Sequence, residues 1–273
     1  MRRNRAIGST LVGLTRVLGN ALVSEQVSRQ AGMLQALDPR VRVLGLTALV
    51  LAVTLSHRIS VVLVLFCAAV LIALFSKSSL WILATRVWLV VLLFTGVIAL
   101  PALVLTPGDA LFTAFGGGLR VTAQGINTAL LLIARVETAV TFTTLLVLCT
   151  PWMHVLKALR AFHVPQEVVM MLAMTHRYIF LFAETASQMF ESRQSRTVGV
   201  LAGPAQRRVT TRTAGVLLSK SVDLSNEVYL AMQSRGFRGD VKILSEFRMR
   251  AWDYVGLVTF LAGGGLAVWM GRG

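Results

Sequence analysis

The sequence predicts an all-α, polytopic membrane protein with about five transmembrane helices and long amphipathic helices in the cytoplasm. Of its 273 residues, 55% are hydrophobic and 14% are charged, whereas soluble domains carry about 25% charged residues. The apolar residues are collected in runs that approach the roughly 20 residues needed to span hydrocarbon. The formal net charge is +15, and the basic residues fall mostly between these runs, as expected for cytoplasmic loops.

A positive charge of this size is also typical of nucleic-acid-binding proteins. Here the basic residues flank apolar runs, so membrane topology and anionic lipid headgroups account for them. We therefore expect the chain to lie in a lipid bilayer and to bind no nucleic acid.

Residues 1–36 are predicted to form a basic N-terminal segment. Arg2, Arg3 and Arg5 precede a mildly apolar stretch, which Arg16 interrupts and which no convincing small-residue cleavage site follows. This pattern favours an interfacial amphipathic helix over a signal peptide, and the role of the segment stays open.

Residues 37–149 are predicted to form transmembrane helices 1–4. Asp38 can cap the first helix and Pro39 suits its first position, with Arg40 and Arg42 at the membrane entrance. The apolar runs are Val41–Ser56, Ile59–Phe75, Val87–Leu105 and Leu119–Cys149. Thr106–Gly118 contains no Lys or Arg and is expected to be an external loop.

Two charged residues, Arg135 and Glu137, lie well inside the fourth apolar run. Residues two apart point to different sides of a helix, so these two cannot simply neutralise each other. Buried charges are costly and are usually paired, so each needs a partner elsewhere. Two hypotheses stay open: a structural contact that locks the helix packing, or a charge on a moving or partner-facing surface.

Residues 150–250 are predicted to form a cytoplasmic coupling-helix region, because basic residues outnumber acidic ones there. Thr213–Arg235 has the apolar periodicity of one amphipathic helix, and Gly236 supplies a left-handed stop that places Arg235 in the last turn. Ser187–Val198 is predicted to be a second such helix.

In this second helix Arg193 and Arg196 share one side, because they are three residues apart. Each predicted helix therefore ends in arginine, and the two helices can dock into grooves of a partner protein. The alternative is that the arginines contact lipid phosphates.

The remaining segments complete the predicted topology. Trp152–Val164 and Gln166–Phe190 have helical patterns, and whether residues 166–190 cross the bilayer stays open. Residues 251–273 are predicted to hold the C-terminal transmembrane helix, which makes five spans if residues 166–190 do not cross.

No pattern in the sequence points to catalysis. It lacks the GxxxxGK[ST] phosphate loop, a nucleophile constellation and a cluster of metal ligands, so no cofactor and no metal site are predicted. Two rival functions remain: a membrane enzyme that uses Arg135, Glu137 and His176, and a stand-alone channel or carrier.

The motifs resemble the transmembrane T component of energy-coupling-factor (ECF) transporters, the CbiQ/EcfT family. The stretches 193–196 and 227–239 resemble its two Ala-Arg-Gly-type signatures, 37–40 its N-terminal signature, and 176–178 part of its central stretch. One departure is that Ser195-Arg196-Thr197 keeps the arginine of the first signature but not its glycine.

This resemblance implies a non-catalytic membrane scaffold in a bacterial or archaeal cell membrane. It implies two cytoplasmic ABC ATPase subunits, bound through Arg193, Arg196, Arg235 and Gly236, and a membrane-embedded substrate-binding (S) subunit. The Leu-Asp-Pro start and the Ser-Arg-Gly-Phe-Arg-Gly form resemble the cobalt/nickel branch, and a vitamin such as biotin is the alternative substrate. The substrate, the identity of the partners and the stoichiometry stay open.

Overall fold

A computed structural model describes residues 32–76, 83–105, 110–114, 119–196, 203–238 and 251–272. The described residues fall into two compact units. The first unit comprises residues 32–158 and 251–272, and the second unit comprises residues 159–238. The interfacial helix expected in the N-terminal segment lies outside the described residues. The described part of that segment, residues 32–36, contains one short helix, Met33–Ala36.

The described chain contains nine α-helices, one π-helical turn and one short hairpin. In chain order they are α1 (Met33–Ala36), α2 (Pro39–Leu55), α3 (Ile59–Phe75), the π-helical turn (Leu83–Trp88), α4 (Leu89–Leu105), β1 (Ala110–Ala114), β2 (Leu119–Thr122), α5 (Ala123–Cys149), α6 (Trp152–Ala161), α7 (Gln166–Arg196), α8 (Gly203–Ser234) and α9 (Ala251–Gly271). The predicted all-α class is confirmed, with the hairpin as its one exception among the described residues.

Helix α2 begins as its sequence predicts. The carboxylate of Asp38 accepts a hydrogen bond from the backbone N–H of Arg40 at 2.9 Å, and Pro39 occupies the first helical position. Proline is tolerated there because its missing N–H has no partner within the helix.

The predicted external loop Thr106–Gly118 is partly wrong, because β1 and β2 pair in an antiparallel hairpin. The next helix therefore begins at Ala123 rather than at Leu119. Thr122 explains this start, since its hydroxyl accepts a hydrogen bond from the N–H of Gly125 at 3.1 Å and caps α5.

Helix α5 is the centre of the first unit and contacts α2, α3 and α4. Contacts at both ends of α2 show that α2 and α5 are antiparallel. Arg42, near the start of α2, donates to the carbonyl of Cys149 at the end of α5. Arg135, farther back in α5, donates to the carbonyl of Ser56 just beyond α2. The last helix, α9, packs on α2.

The contacts also fix the direction of α9. The N–H of Asp38 donates to Asp253 at 2.7 Å at one end, and the N–H of His57 donates to the carbonyl of Gly271 at 3.0 Å at the other. Helices α2 and α9 therefore run parallel. Ser76, which follows α3, lies beside Cys149, so α3 runs in the same direction as α5.

The first unit buries small and branched apolar side chains and exposes large ones. Leu46, Val62 and Phe142 are buried in the core, whereas Phe94 is 68% exposed and Trp269 is 78% exposed. Apolar exposure on this scale is unusual for a soluble surface, and it suits a surface that faces lipid.

Two described helices, Ala123–Cys149 and Ala251–Gly271, are long and apolar enough to cross a membrane. Ile59–Phe75 and Leu89–Ala102 are shorter apolar helices. Aromatic residues, which favour membrane interfaces, lie near both ends of α9. Trp252 and Trp269 are both exposed and are about 26 Å apart along the helix at its usual rise per residue.

The second unit contains two long helices that contact each other, α7 and α8. The prediction of a separate helix at Ser187–Val198 was wrong, because α7 runs without interruption from Gln166 to Arg196. No Gly or Pro occurs within that stretch to end it. Helix α8 likewise begins at Gly203, ahead of the predicted Thr213, and its Pro204 fits in the first turn.

Candidate functional site

Arg235 and Gly236 lie where α8 ends. Gly236 has a φ of 84°, a left-handed conformation that glycine adopts without a Cβ penalty. The N–H of Phe237 donates to the carbonyl of Met232 at 3.0 Å, and that of Gly236 donates to the carbonyl of Gln233 at 2.9 Å. These two bonds define a Schellman motif. The predicted glycine stop is confirmed, but α8 ends at Ser234, so Arg235 follows the last helical residue instead of lying in the last turn. It is exposed at the helix end that favours a cation.

The other predicted arginines lie in the last turn of α7. Arg196 is the last helical residue and is exposed, whereas Arg193 is half-buried. The hydroxyl of Ser195 donates to the carbonyl of Glu191 at 3.0 Å. Thr197, which replaces the glycine of the resembled signature, lies outside the described residues. An exposed arginine therefore lies at the C-terminal end of each long helix, Arg196 within α7 and Arg235 directly after α8.

A groove of about 660 Å³ lies between α7 and α8. Its walls carry methionine, aromatic and aliphatic side chains together with a few hydroxyls. They are Met170, Met171, Met174, Thr175, Tyr178, Ile179, Phe182, Ser221, Leu224, Ser225, Val228, Tyr229, Met232 and Phe237. Methionine adapts to irregular partners, so this groove can accept apolar side chains of more than one shape.

The groove includes Phe237, a residue that the sequence analysis did not single out. Phe237 and Met232 are joined by a backbone hydrogen bond of the Schellman motif. A hydrophobic contact between these two positions frequently accompanies that motif. The apolar residue directly after Gly236 could therefore have been predicted from the sequence to pack against Met232 at this helix end.

An apolar stripe on α8 remains exposed. Leu218, Val222 and Tyr229 are 68%, 56% and 55% exposed, and their spacing of four and seven places them on one side of the helix. Contiguous exposed apolar side chains mark an interaction surface. An amphipathic helix with such a stripe can bind in a hydrophobic groove of another protein.

Arg135 and Glu137 lie in different surroundings, although both are in α5. The guanidinium of Arg135 donates to the carbonyl of Ser56 at 2.6 Å, a group at the end of α2 where the helix dipole favours a cation. Glu137 is buried, and neither of its carboxyl oxygens has a hydrogen-bond partner among the described residues. His176, the third residue of the rival enzyme hypothesis, lies in α7 of the second unit.

Five buried polar residues form what we call the helix-end cluster: Asp38, Arg42, Ser76, Cys149 and Asp253. Arg42 donates from Nη1 to the carbonyl of Cys149 at 2.5 Å. The thiol of Cys149 lies 3.0 Å from the hydroxyl of Ser76. Asp253 accepts from the N–H of Asp38 at 2.7 Å. The cluster thus joins the beginnings of α2 and α9 to the ends of α3 and α5.

The sequence analysis missed this cluster. It placed Arg42 at the membrane entrance beside Arg40, whereas the structure leaves Arg42 only 3% exposed. Asp253 stands in the first turn of an otherwise apolar helix, and that isolated acid was the available signal.

Within the described residues, no group of three or more His, Cys, Asp or Glu side chains could hold a metal ion. The candidate site described above is a set of helix ends and apolar surfaces. Such a site can bind a partner protein and transmit its movement.

Comparisons with known proteins agree with this description. A family described as "Cobalt transport protein" matches residues 30–244. An uncharacterised protein of Methanocaldococcus jannaschii is 27% identical over 99% of this chain and 94% of its own length. The cobalt transport protein CbiQ of Rhodobacter capsulatus is 27% identical over 56% of this chain and 63% of its own length.

A third relative is the nickel permease LarQ of Lactiplantibacillus plantarum, which is 33% identical over 40% of this chain and 40% of its own length. The family match spans most of the chain, including both arginine-bearing helix ends. The chain therefore belongs to the CbiQ/EcfT family, the non-catalytic transmembrane components of energy-coupling-factor transporters in cell membranes.

Proposed function

We propose that this chain is the coupling subunit of an ECF-type ABC importer, in which it transmits ATP-driven motion of two cytoplasmic ATPases to a substrate-binding membrane subunit. One observation carries the proposal: two long helices, of 31 and 32 residues, each carry an exposed arginine at the C-terminal end, Arg196 as the last residue of α7 and Arg235 directly after α8. Helices of this size are about 47 Å long, so a movement at one end can be carried over a large distance.

The directions of the helices support a five-span topology. Helices α2 and α9 run one way, and α3 and α5 run the other way. Helix α5 ends where α2 and α9 begin, and the basic residues of the second unit come after it in the sequence. The positive-inside rule places that end in the cytoplasm. In this topology residues 37–149 hold four spans, residues 150–250 are cytoplasmic and residues 251–273 hold the fifth span.

The arginines at the helix ends bind the ATPases. A guanidinium offers five donors in a fixed fork, which suits a carboxylate pair or backbone carbonyls. Arg235 and Gly236 act together, because the left-handed glycine ends α8 and leaves the arginine at its tip. Arg196 is the equivalent at the end of α7, with Arg193 one turn behind it.

The apolar groove between α7 and α8 and the exposed stripe of α8 receive the substrate-binding subunit. A membrane-embedded partner carries apolar helices, and methionine-lined surfaces accommodate them. The coupling itself requires that the ATPases bind the chain with different free energies in their open and closed states, because only such a difference can shift its conformation.

Cobalt or nickel is the proposed substrate. The family description and two of the relatives name these metals, and the substrate-binding subunit supplies the metal site. No ligand cluster occurs in the described part of this chain.

The substitution Arg235→Glu tests the docking role. It is expected to lower the affinity for the ATPases at least about tenfold, because a charge-assisted contact becomes a repulsive one. Lys220→Glu is the matched control, since it makes the same change of charge at an exposed position within the same helix. ATPase co-purification and metal uptake are measured for both variants. Full retention of both by Arg235→Glu would refute the proposed docking.

A further inference from the structure

The helix-end cluster holds four helix ends together through buried contacts. Asp38 caps α2 and its own N–H is bonded to Asp253 in the first turn of α9. Arg42 bonds to the carbonyls of Leu37 at 3.0 Å and of Cys149. Bonds from a charged donor are stronger than neutral ones, and low local polarity strengthens them further.

The same network extends to α1 through Gln35. The hydroxyl of Ser76 donates to Gln35 Oε1 at 2.9 Å, and the amide of Gln35 donates back to the carbonyl of Ser76 at 3.3 Å. Ser76 in turn lies against the thiol of Cys149. The end of α3 is therefore fixed to the end of α5 as well as to the segment that precedes α2.

The cluster lies on the path by which the chain leaves the first unit and returns to it. The first unit is left after Ala158 and re-entered before Ala251. Cys149 is the last residue of α5 on the outgoing path, and Asp253 lies in the first turn of α9 on the returning path. The outgoing and the returning path described here thus each pass through a buried residue of this one cluster.

The opposite end of the first unit offers a direct contrast. There Arg135 also donates to a carbonyl that follows a helix, that of Ser56, and the hydroxyl of Ser56 bonds to the carbonyl of Ala52 at 2.8 Å. No described crossing to the second unit starts from that end. The buried Arg42 and the half-buried Arg135 therefore make similar local contacts, but of these two only Arg42 lies beside the end of α5 and the beginning of α9.

We infer that the helix-end cluster, centred on Arg42, is the joint through which movement of the arginine-tipped helices is passed to the membrane helices as a concerted displacement of α2, α5 and α9. This inference rests on the proposed coupling function and assigns positioning roles to Arg42 and Asp253. Without the guanidinium, the end of α5 moves independently of α2 and α9, so the movement is absorbed locally.

The test uses the full chain assembled with its ATPases and its substrate-binding subunit. Amide hydrogen exchange is measured with and without a non-hydrolysable ATP analogue, for two sets of amides. The first set lies in the last turns of α7 and α8, and the second set lies in the last turn of α5 and the first turn of α9. In the unmodified chain the analogue is expected to change exchange in both sets, since exchange reports local opening.

Arg42→Met is expected to keep the response of the first set and to lose that of the second. Arg135→Met is the matched control: it also removes a guanidinium, here a half-buried one, from a carbonyl that follows α2, and it is expected to keep both responses. Asp253→Asn keeps an oxygen acceptor for the N–H of Asp38 but removes the charge, and it is expected to weaken the second response. This variant carries the test if Arg42→Met does not assemble.

The outcomes distinguish a failure of the proposed joint from a failure of the proposed coupling function on which it rests. Failure of the unmodified chain to retain the ATPases would overturn the proposed function and the joint with it. A second response that persists in Arg42→Met, or in Asp253→Asn where only that variant assembles, overturns the joint alone. Loss of both responses while the ATPases stay bound also overturns it, because the effect is then general rather than positional. If Arg135→Met loses the second response to the same extent as Arg42→Met, the proposed joint is also overturned.

Discussion

Gly236 shows how much a single backbone angle decides at the proposed ATPase site. Its φ of 84° belongs to a region that costs other residues about 1–2 kcal/mol. The same angle turns the chain so that Phe237 bonds back to Met232, and it leaves Arg235 at the tip of α8. The left-handed conformation of Gly236 is therefore the reason that Arg235 lies exposed at the tip of α8.

The first prediction compares this glycine with another in the same helix. Gly236→Ala is expected to destabilise the chain by about 1–2 kcal/mol and to weaken ATPase binding. Gly215→Ala is expected to stabilise it by about 0.5–1 kcal/mol, because the added methyl group meets open space within a regular helix. Thermal unfolding in detergent measures both, and equal shifts of the same sign would contradict the assigned conformations.

Residue-level features were predictable from the sequence where their cause is local. Asp38 and Gly236 act on neighbours within a few positions, so capping rules identify them. Arg42 and Asp253 act on residues that are 107 and 215 positions away. No rule based on spacing brings such pairs together, and their burial follows from the packing of whole helices.

Among the elements, α2 and α9 approach each other closely because of Gly45. A Cβ added there would lie 2.5 Å from Cδ2 and 2.9 Å from Cβ of Phe260. The ring can rotate away, but the Cβ of Phe260 is fixed to its backbone. The two helices can therefore keep this distance only with glycine at position 45.

The second prediction follows from this contact. Gly45→Ala is expected to cost about 1–3 kcal/mol, the usual range for overpacking, and to lower the thermal stability of the purified chain. Gly265→Ala, on the outer face of α9, is the control because nothing lies within 4 Å of its added methyl group. Unchanged stability of Gly45→Ala would show that the helices separate easily.

The elements were predicted well where apolar periodicity was long and less well at their boundaries. The sequence predicted two helices within Gln166–Arg196 because the polar C-terminal half resembles a separate amphipathic helix. The stretch contains no Gly or Pro that would end a helix, and it forms one helix. The hairpin of β1 and β2 was read as a loop because glycines surround it. Strands this short take their stability from pairing and neighbours rather than from propensity.

At the scale of the whole molecule, the two units have different surfaces. The first unit has an apolar exterior suited to lipid, and the second carries the basic helices with exposed tips. Family membership was predictable because several motifs follow one another in order along the chain. The assignment of Arg193, Arg196 and Arg235 to the ATPases comes from the family resemblance and stays a prediction.

The third prediction concerns the chain without its proposed partners. Liposomes that contain the purified chain alone are expected to take up neither cobalt nor nickel and to hydrolyse no ATP, because the chain lacks a phosphate loop. Uptake is expected only after the ATPases and the substrate-binding subunit are added together. Uptake by the chain alone would instead favour a carrier.

The lengths of the helices in the first unit have a consequence for the surrounding lipid. Helices α2, α3 and α4 each contain 17 residues, which corresponds to about 26 Å, and the interval between Trp252 and Trp269 is similar. A typical hydrocarbon layer is about 30 Å thick. Acyl chains beside α2 and α3 are therefore expected to shorten to match them, whereas α5 and α9, of 27 and 21 residues, suit a layer of ordinary thickness, so the bilayer is expected to be thinned on one side of the protein.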